Sequence, residues 1–221
     1  KKRKFERKVQ EFLLNYRITG IETQVDQRDK LLVACSAIIP IFEFDDWRYS
    51  DLYEVLLYPR RFNLAYETDG AGRTVLGMVG NGYMNGVMIL SKPALVQGFK
   101  NERDKKNTAI HEFVHLIDKE DGEVDGIPGR LLEKQYSVPW LDLIRQKIHQ
   151  IDKGGTGINP YGGTSRAEFF AVISEYFFER PRLLKRHHPE LYRKLKHIFK
   201  QDLALRNLRK KRSAIRRNSP C

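Results

Sequence analysis

The sequence predicts an α+β fold that is mainly helical and contains one small β-sheet. Apolar residues recur at helical spacing in both halves of the chain. Short β-branched and apolar segments, separated by glycine-rich or polar turns, are confined to residues 52–91. With 221 residues, the chain is long enough to bury one sizeable core. We therefore expect several helices packed beside a single sheet.

The N-terminal half begins with two predicted helices and continues into the predicted sheet. The first helix is amphipathic and places its apolar residues on one face, at Phe5, Val9, Phe12, Leu13 and Tyr16. The second covers residues 29–39 and is expected to end at Pro40. Three strands follow, at residues 54–58, 73–79 and 86–91.

Helical patterns return in the second half of the chain. Thr108 is the predicted N-cap of a helix at 109–118, and Ser165 is that of a helix at 167–178, which Pro181 terminates. Between them lie an acidic loop at 119–129, a helix at 131–151 and a glycine-rich loop at 154–164. A last amphipathic helix uses Leu191 and Leu195. We expect one domain at 1–189, then a C-terminal helix and basic tail at 190–221.

The charge is strongly basic and uneven. The chain carries a net charge of +12, and the segment from Arg182 to Cys221 has an excess of positive charge as large as that of the whole chain. The tail has few interleaved aromatic rings, which argues for solvated charge rather than a nucleic-acid surface. Two cysteines form no disulfide framework, so a reducing, cytoplasmic location is expected. The alternative is attachment through a membrane anchor upstream of Lys1.

The most informative motif is His111-Glu-Phe-Val-His115. Residues four apart share one face of a helix, so both imidazoles can reach the same ion. Glu112 lies beside them, where it can act as the general base towards a water molecule. Neutral imidazole is a ligand that suits zinc. The motif predicts the catalytic helix of a zinc peptidase.

A catalytic zinc site normally has three protein ligands, and the spacing alone leaves the third one open. Asp118 and Asp121 occupy the positions at which a metzincin has its glycine and third histidine. The helix after Ser165 offers two carboxylates, Glu168 and Glu175, which are seven residues apart and share a face. Spacing does not choose between them.

Two further segments carry a family resemblance. The run from Asn159 to Ala171, which contains Tyr161-Gly-Gly-Thr and Glu168-Phe-Phe-Ala, follows His111-Glu-Phe-Val-His-Leu-Ile-Asp118. This arrangement resembles the Mlc titration factor A family of zinc peptidases and is similar to the catalytic domain of anthrax lethal factor. The segments YPRRF, GVMILS and SEYFFERP also match the first family. The resemblance extends from the first helix to about Pro189 and implies a zincin-like fold.

The resemblance also implies roles for individual residues. It makes His111, His115 and Glu168 the ligands of Zn²⁺, Glu112 the catalytic base, and Tyr161 a catalytic donor near the scissile carbonyl. Glu175 and Asp118 then become candidates for supporting the ligand histidines. The segment 86–91 is a candidate for the sheet edge to which a peptide adds as a strand.

The implied activity is aminopeptidase-like hydrolysis of peptides, although the same motif would suit cleavage within a chain. An aminopeptidase needs an acidic group for the substrate's α-ammonium, and the acidic loop offers Glu120, Asp121, Glu123 and Asp125. The family also implies a partner, a transcriptional repressor. The alternative function is therefore a regulatory binding protein with little or no turnover. A peptide or protein substrate is the expected partner of the enzyme.

Overall fold

The computed structural model describes residues 1–80, 82–101 and 104–205. The basic tail beyond residue 205 lies outside the described residues, as does Cys221. Within the described part, all four strands lie in the first half of the chain and six successive helices follow them: α1 Lys2–Asn15, β1 Arg17–Gly20, α2 Gln27–Ile41, β2 Glu54–Tyr58, β3 Gly77–Val79, β4 Val87–Ser91, α3 Lys92–Lys100, α4 Thr108–Asp118, α5 Lys134–Asp152, α6 Arg166–Glu179, α7 Pro181–His187 and α8 Pro189–Ile198. The predicted mainly helical α+β class is confirmed.

The four described strands form one mixed sheet in the order β1-β2-β4-β3. β1, β2 and β4 are parallel, whereas β3 runs antiparallel to β4. The sequence predicted β2 at its observed bounds, and β4 one residue too long. The predicted strand at 73–79 is reduced to β3, preceded by an isolated bridge between Phe62 and Val75. β1 was missed because four residues directly after a helix are too short to show a strand period.

The prediction that Pro40 ends the second helix was wrong. α2 continues through Pro40 to Ile41, so the proline lies in the last turn. Its N-terminus is fixed by a reciprocal cap: the side chain of Asp26 accepts from the Asp29 N–H at 2.8 Å, and the side chain of Asp29 accepts from the Asp26 N–H at 3.1 Å. The buried Val33, Ala34 and Ala37 lie against the rest of the core.

A single large apolar core joins the helices to one face of the sheet. Phe113 of α4, Phe170 of α6 and Leu195 of α8 all belong to it and are fully buried. The last helix therefore packs into the same core as the helices that carry the predicted metal ligands. The division of the chain at residue 189 stays a prediction.

Two helices were not expected. α3 follows β4 directly and has Pro93 in its first turn, a position at which proline loses no helical hydrogen bond. α7 begins at Pro181, which therefore both follows α6 and starts the next helix. Across the residues that the structure covers, no helix has the length and apolar character needed to cross a bilayer.

Candidate metal centre

α4 places the two motif histidines in the interior. Its apolar residues face the core, and its N-terminus is capped by Asn107, whose side-chain oxygen accepts from the Ile110 N–H at 3.1 Å. The prediction that Thr108 is the cap was therefore wrong by one residue, because the asparagine before it has the extended backbone that a cap requires. His111 is 9% exposed and Glu112 is 6% exposed.

The donor atoms of His111, His115 and Glu168 converge on one point. The Nε2 atoms of the two histidines are 3.1 Å apart. Oε2 of Glu168 lies 3.0 Å from Nε2 of His111 and 3.6 Å from Nε2 of His115. A tetrahedral ion with ligands at about 2.05 Å separates its ligand atoms by about 3.3 Å. Two imidazoles and one carboxylate at these separations fit a tetrahedral zinc-type site in which one coordination position is left open.

Glu175 meets the opposite side of His111. Its Oε1 lies 2.7 Å from Nδ1 of His111, while its Oε2 accepts a hydrogen bond from the backbone N–H of Asn107 at 2.5 Å. The carboxylate therefore links the start of α4 to the middle of α6. Held in this way, the ring of His111 directs Nε2 towards His115 and Glu168. Asn107, which the sequence interpretation did not single out, also anchors this carboxylate.

Asp118, the other predicted support, does not contact a histidine in this way. Its Oδ2 accepts a hydrogen bond from the Gly126 N–H at 2.8 Å. Nδ1 of His115 and Oδ1 of Asp118 are both buried without a hydrogen-bond partner among the described residues. Among the described residues, no hydrogen bond joins Asp118 to either motif histidine, so its predicted supporting role has no direct contact behind it.

α6 and the turn before it position Glu168 and Tyr161. The hydroxyl of Ser165 accepts from the Glu168 N–H at 3.1 Å, which confirms the predicted cap and fixes Glu168 in the first turn. Tyr161 lies in a 3₁₀ turn, Pro160–Gly163, that the side chain of Asn159 caps at 3.2 Å. The Thr164 hydroxyl closes the turn by donating to the Tyr161 carbonyl at 2.8 Å. The Tyr161 ring centroid is 6.1 Å from that of His111.

The carboxylates control protonation in the centre. Burial opposes a charge on His111, but its bonds to Glu168 and Glu175, together with the charges of Glu175 and Glu112, raise its pKa to about 10. Burial acts to raise the pKa of Glu168, yet the two histidines hold that pKa well below its usual value. Burial, followed by the charge of Glu168, raises the pKa of Tyr161 to about 12. Tyr161 therefore keeps its proton and remains a hydrogen-bond donor.

Glu112 lies between α4 and the edge strand β3. Burial is the largest effect on its carboxyl and raises its pKa, with the neighbouring histidines acting in the opposite direction. Gly77 of β3 packs directly against it, since a Cβ there would lie 2.7 Å from both Cγ and Oε1 of Glu112. No sequence pattern pointed to this glycine.

A cleft of about 460 Å³ opens beside this centre. It is lined by residues 74–77, which lead into β3, and by His111, Glu112 and Tyr161. Glu112 and Tyr161 thus line the same space as His111, one of the three metal-ligand candidates. Tyr161 is 52% exposed, so the hydroxyl-bearing ring is accessible to a substrate in the cleft.

The expectation that segment 86–91 is the free sheet edge was wrong. β4 is paired on both sides, with β2 and with β3, so its backbone groups are already used. Among the strands that the structure describes, the free edge beside the centre belongs to β3. Met78 lies opposite Ile89, and the flanking Leu76 and Gly80 are hydrogen-bonded to β4. Because such bonds alternate along an antiparallel pair, Gly77 and Val79 turn their N–H and C=O groups outwards.

The acids of the 119–129 loop do not line this cleft. Glu120 accepts from the N–H of Ser50 at 2.9 Å and from the guanidinium of Arg130. Asp121 accepts from the Gly129 N–H at 2.9 Å. The predicted carboxylates for an α-ammonium group are therefore absent from the described lining of the cleft.

Comparison with known proteins places these features in context. A family model described as glucose-regulated metallo-peptidase M90 matches residues 1–200. The chain is 29% identical over 209 residues to an uncharacterized protein of Synechocystis sp., covering 90% of this chain and 76% of that protein. It is 28% identical over 176 residues to the Mlc titration factor A of Pectobacterium atrosepticum, covering 74% of this chain and 65% of that protein. For the Mlc titration factor A of Cronobacter sakazakii the identity is 27% over 212 residues, with 88% and 77% covered.

Proposed function

Because the chain belongs to the glucose-regulated metallo-peptidase M90 family, we propose that it is a zinc-dependent peptidase that hydrolyses peptide bonds with water. The observation that carries this proposal is the convergence of His111, His115 and Glu168, whose donor atoms all lie within 4.8 Å of one another. Two imidazoles and a carboxylate are a ligand set typical of catalytic zinc. When bound, zinc supplies a Lewis acid for the scissile carbonyl and makes water a nucleophile at neutral pH.

In this proposal, Glu112 accepts the proton of the attacking water and returns it to the leaving amine. Its carboxyl is buried beside both histidines, and its pKa is raised mainly by that burial. A raised pKa brings a carboxyl closer to the operating pH, where it can both accept and donate a proton. The contact with Gly77 fixes where that carboxylate points.

Tyr161 supplies a hydrogen bond to the carbonyl oxygen as negative charge develops on it. Its hydroxyl stays protonated because burial and Glu168 raise its pKa. A preorganised donor of this kind stabilises an oxyanion more than a neutral carbonyl. The two caps on the 3₁₀ turn keep its backbone in place.

We propose that the substrate lies along β3 as an added strand. The outward N–H and C=O groups of Gly77 and Val79 can pair with an extended peptide. Glu112 packs against Gly77, so a peptide paired with this strand runs close to the base. Glu175 keeps His111 oriented through the 2.7 Å contact with Nδ1.

An aminopeptidase-like specificity is the finer proposal that the family resemblance implies. None of the loop acids expected to hold an α-ammonium group lines the cleft, so we favour cleavage within a peptide. Paired fluorogenic peptides with a free or an acetylated N-terminus separate the two. Endopeptidase action cleaves both peptides at similar rates, whereas loss of cleavage on acetylation would establish an aminopeptidase.

The test of the main proposal compares the native chain with Glu112→Gln, which keeps the size of the side chain. The native chain is expected to hold about one zinc per chain and to cleave peptides. The variant should keep the metal and lose turnover, because Gln cannot accept the proton. If both proteins bind zinc and neither cleaves a broad peptide panel, the peptidase proposal fails. If neither binds zinc, the assignment of the ligands fails first.

A regulatory binding function is the second candidate, favoured by relatives named Mlc titration factor A. That name points to the repressor Mlc as a partner of those proteins, and we propose a repressor of this type as a partner here. Binding of purified Mlc at equal strength by the native chain and by Glu112→Gln, without cleavage, would favour this function. The proposal is wrong if neither protein binds Mlc.

A further inference from the structure

A second cleft, which shares no lining residue with the cleft beside the metal centre, is lined by cations. This basic cleft has a volume of about 670 Å³ and lies between the end of α5, the loop 154–157 and residues 186–188. Its charged lining consists of Lys147, Lys153 and Arg186, with His187 and His188 beside them. No acidic residue is among the described residues that line it.

These cations are not neutralised within the described part of the chain. None of Lys147, Lys153 and Arg186 takes part in the ion pairs found there. Lys147 instead donates to the side-chain oxygen of Gln150 at 2.9 Å. Asp152, adjacent to Lys153, turns its carboxylate towards Gly163, where a Cβ would lie 3.3 Å from Oδ1.

Helix dipoles offset only a small part of this charge. α5 and α7 end at the basic cleft, and α8 begins there with His188 as its N-cap. Each helix end contributes at most about half a charge, negative at a C-terminus and positive at an N-terminus. The three ends together amount to roughly half a negative charge, against three full positive charges. A surplus of more than two positive charges remains.

The floor of the basic cleft is a glycine loop held in a defined shape. Gly154, Gly155 and Gly157 have φ angles of 80°, 81° and 67°, a region in which residues with a Cβ are strained. The ring of His188, which is 8% exposed, contacts the Thr156 carbonyl through Nε2 at 2.9 Å. The ammonium of Lys105 donates to the Gly157 carbonyl at 2.7 Å. The loop therefore exposes backbone rather than side chains.

We propose that the basic cleft binds the phosphate group of a small phosphomonoester. Exposed glycine backbone allows a phosphate to approach closely, and flanking Arg and Lys side chains bind its oxygens through charge-assisted hydrogen bonds. Arg186 supplies a planar fork suited to two phosphate oxygens, while Lys147 and Lys153 supply point charges. Thr156 also lines this space, and its hydroxyl accepts from the Ile158 N–H at 3.2 Å, which helps to hold the loop. This site is separate from the metal centre and does not depend on the peptidase proposal.

A small ligand fits these features better than a nucleic-acid strand. Single-stranded nucleic acid is bound along an extended groove with aromatic side chains on which successive bases stack. Among the residues that the structure describes, no Phe, Tyr or Trp ring lines the basic cleft. Its cations instead surround one loop.

The test measures binding of phenyl phosphate and inorganic phosphate at constant ionic strength by calorimetry. Amide NMR spectra of the full chain locate the site. Lys153→Gln combined with Arg186→Gln removes two cations from the basic cleft. Arg3→Gln combined with Arg28→Gln is the matched control, because both residues are exposed, lie on α1 and α2, and line no part of the cleft. Thermal unfolding checks that both variants remain folded.

We expect both probes to shift the amides of Gly154, Gly155 and Thr156. The cleft variant should bind about tenfold more weakly or worse, because two charge contacts are lost, while the control variant binds as the native chain does. Tighter binding of phenyl phosphate than of inorganic phosphate would identify a phosphomonoester as the ligand. Equal affinity for the two probes would show that the phosphate group alone accounts for binding. Equal weakening in both variants, or shifts confined to other residues, would overturn the proposal. So would cleft-dependent binding of an oligonucleotide without binding of either phosphate probe.

Discussion

Gly77→Ala is the most direct test of how the edge strand positions Glu112, the proposed catalytic base. The added methyl group would sit 2.7 Å from Cγ and Oε1 of Glu112 and 2.9 Å from Cγ2 of Thr108. Ordinary contacts between carbon atoms are about 3.5–4.0 Å, so the Glu112 side chain must withdraw by about 1 Å. The backbone of Gly77 is not in the left-handed region. The substitution therefore acts through this contact.

The expected loss is large in activity and modest in stability. A displacement of about 1 Å in a catalytic group can lower the rate about 100-fold, so we expect kcat/KM to fall by about two orders of magnitude. Overpacking a buried contact costs about 1–3 kcal/mol of unfolding free energy. In a chain of this size that corresponds to a decrease in Tm of roughly 2–12 °C. Zinc content should be unchanged, because the three proposed ligands lie elsewhere.

The assay measures kcat/KM on a fluorogenic peptide, bound zinc and thermal unfolding for Gly77→Ala and for Met78→Ala. Met78 is the next residue on β3 and packs against a separate apolar cluster containing Tyr58 and Ile89. The control should lose stability while keeping most of its activity per folded molecule. A Gly77→Ala variant that keeps its zinc and stays within about threefold of native kcat/KM would refute the reasoning.

Three further predictions concern other contacts of the two sites. Tyr161→Phe should lower kcat roughly 100- to 1,000-fold with little change in KM or zinc content, since only the proposed oxyanion donor is lost. A rise in KM with kcat unchanged would argue against this role. Glu175→Ala should weaken zinc binding about 10- to 100-fold, measured by competition with a chelator, because His111 loses its 2.7 Å partner. Unchanged affinity would show that this carboxylate does not orient the ring. Burial lowers the pKa of His188, and the charges of Lys147, His187 and Lys105 add to this effect, whereas the hydrogen bond to Thr156 opposes it. As the pH falls below about 6.5, His188 is therefore protonated in the unfolded chain before it is protonated in the folded one. The unfolding free energy should thus decrease from pH 7 to pH 5 in phosphate-free buffer, and His188→Gln should reduce that slope; an identical slope in the variant would exclude this linkage.

Local features of the fold followed from the sequence with little ambiguity. The helix period identified α1, α4 and α6, and Ser165 marked the start of α6. These features depend on residues within one or two turns of each other, which is the range over which periodicity and capping act. The wrong predictions concern features that depend on contacts beyond one or two turns. Pro40 lies in the last turn of a helix that continues past it. No local pattern marks the contact that buries His188 against the Thr156 carbonyl.

In the candidate site, too, some features are predicted by local spacing and others are decided by packing. The spacing of His111, Glu112 and His115 alone predicted that both imidazoles share a face, because residues four apart on a helix always do. The two carboxylates of α6 also share a face, so their spacing could not assign them. Packing of α6 against α4 brings Glu168 to the Nε2 atoms of both histidines and Glu175 to Nδ1 of His111.

The sequence by itself therefore determined the fold class and the residue types of the candidate centre. Only the tertiary structure decided which carboxylate faces which nitrogen, which strand is the free edge, and that Gly77 lies against Glu112. It also brought the cations of α5 and α7 around one glycine loop. The physical reason is that helix period and capping are set by neighbours along the chain. Contacts between elements are instead set by how their apolar faces pack in the shared core, which no local pattern encodes.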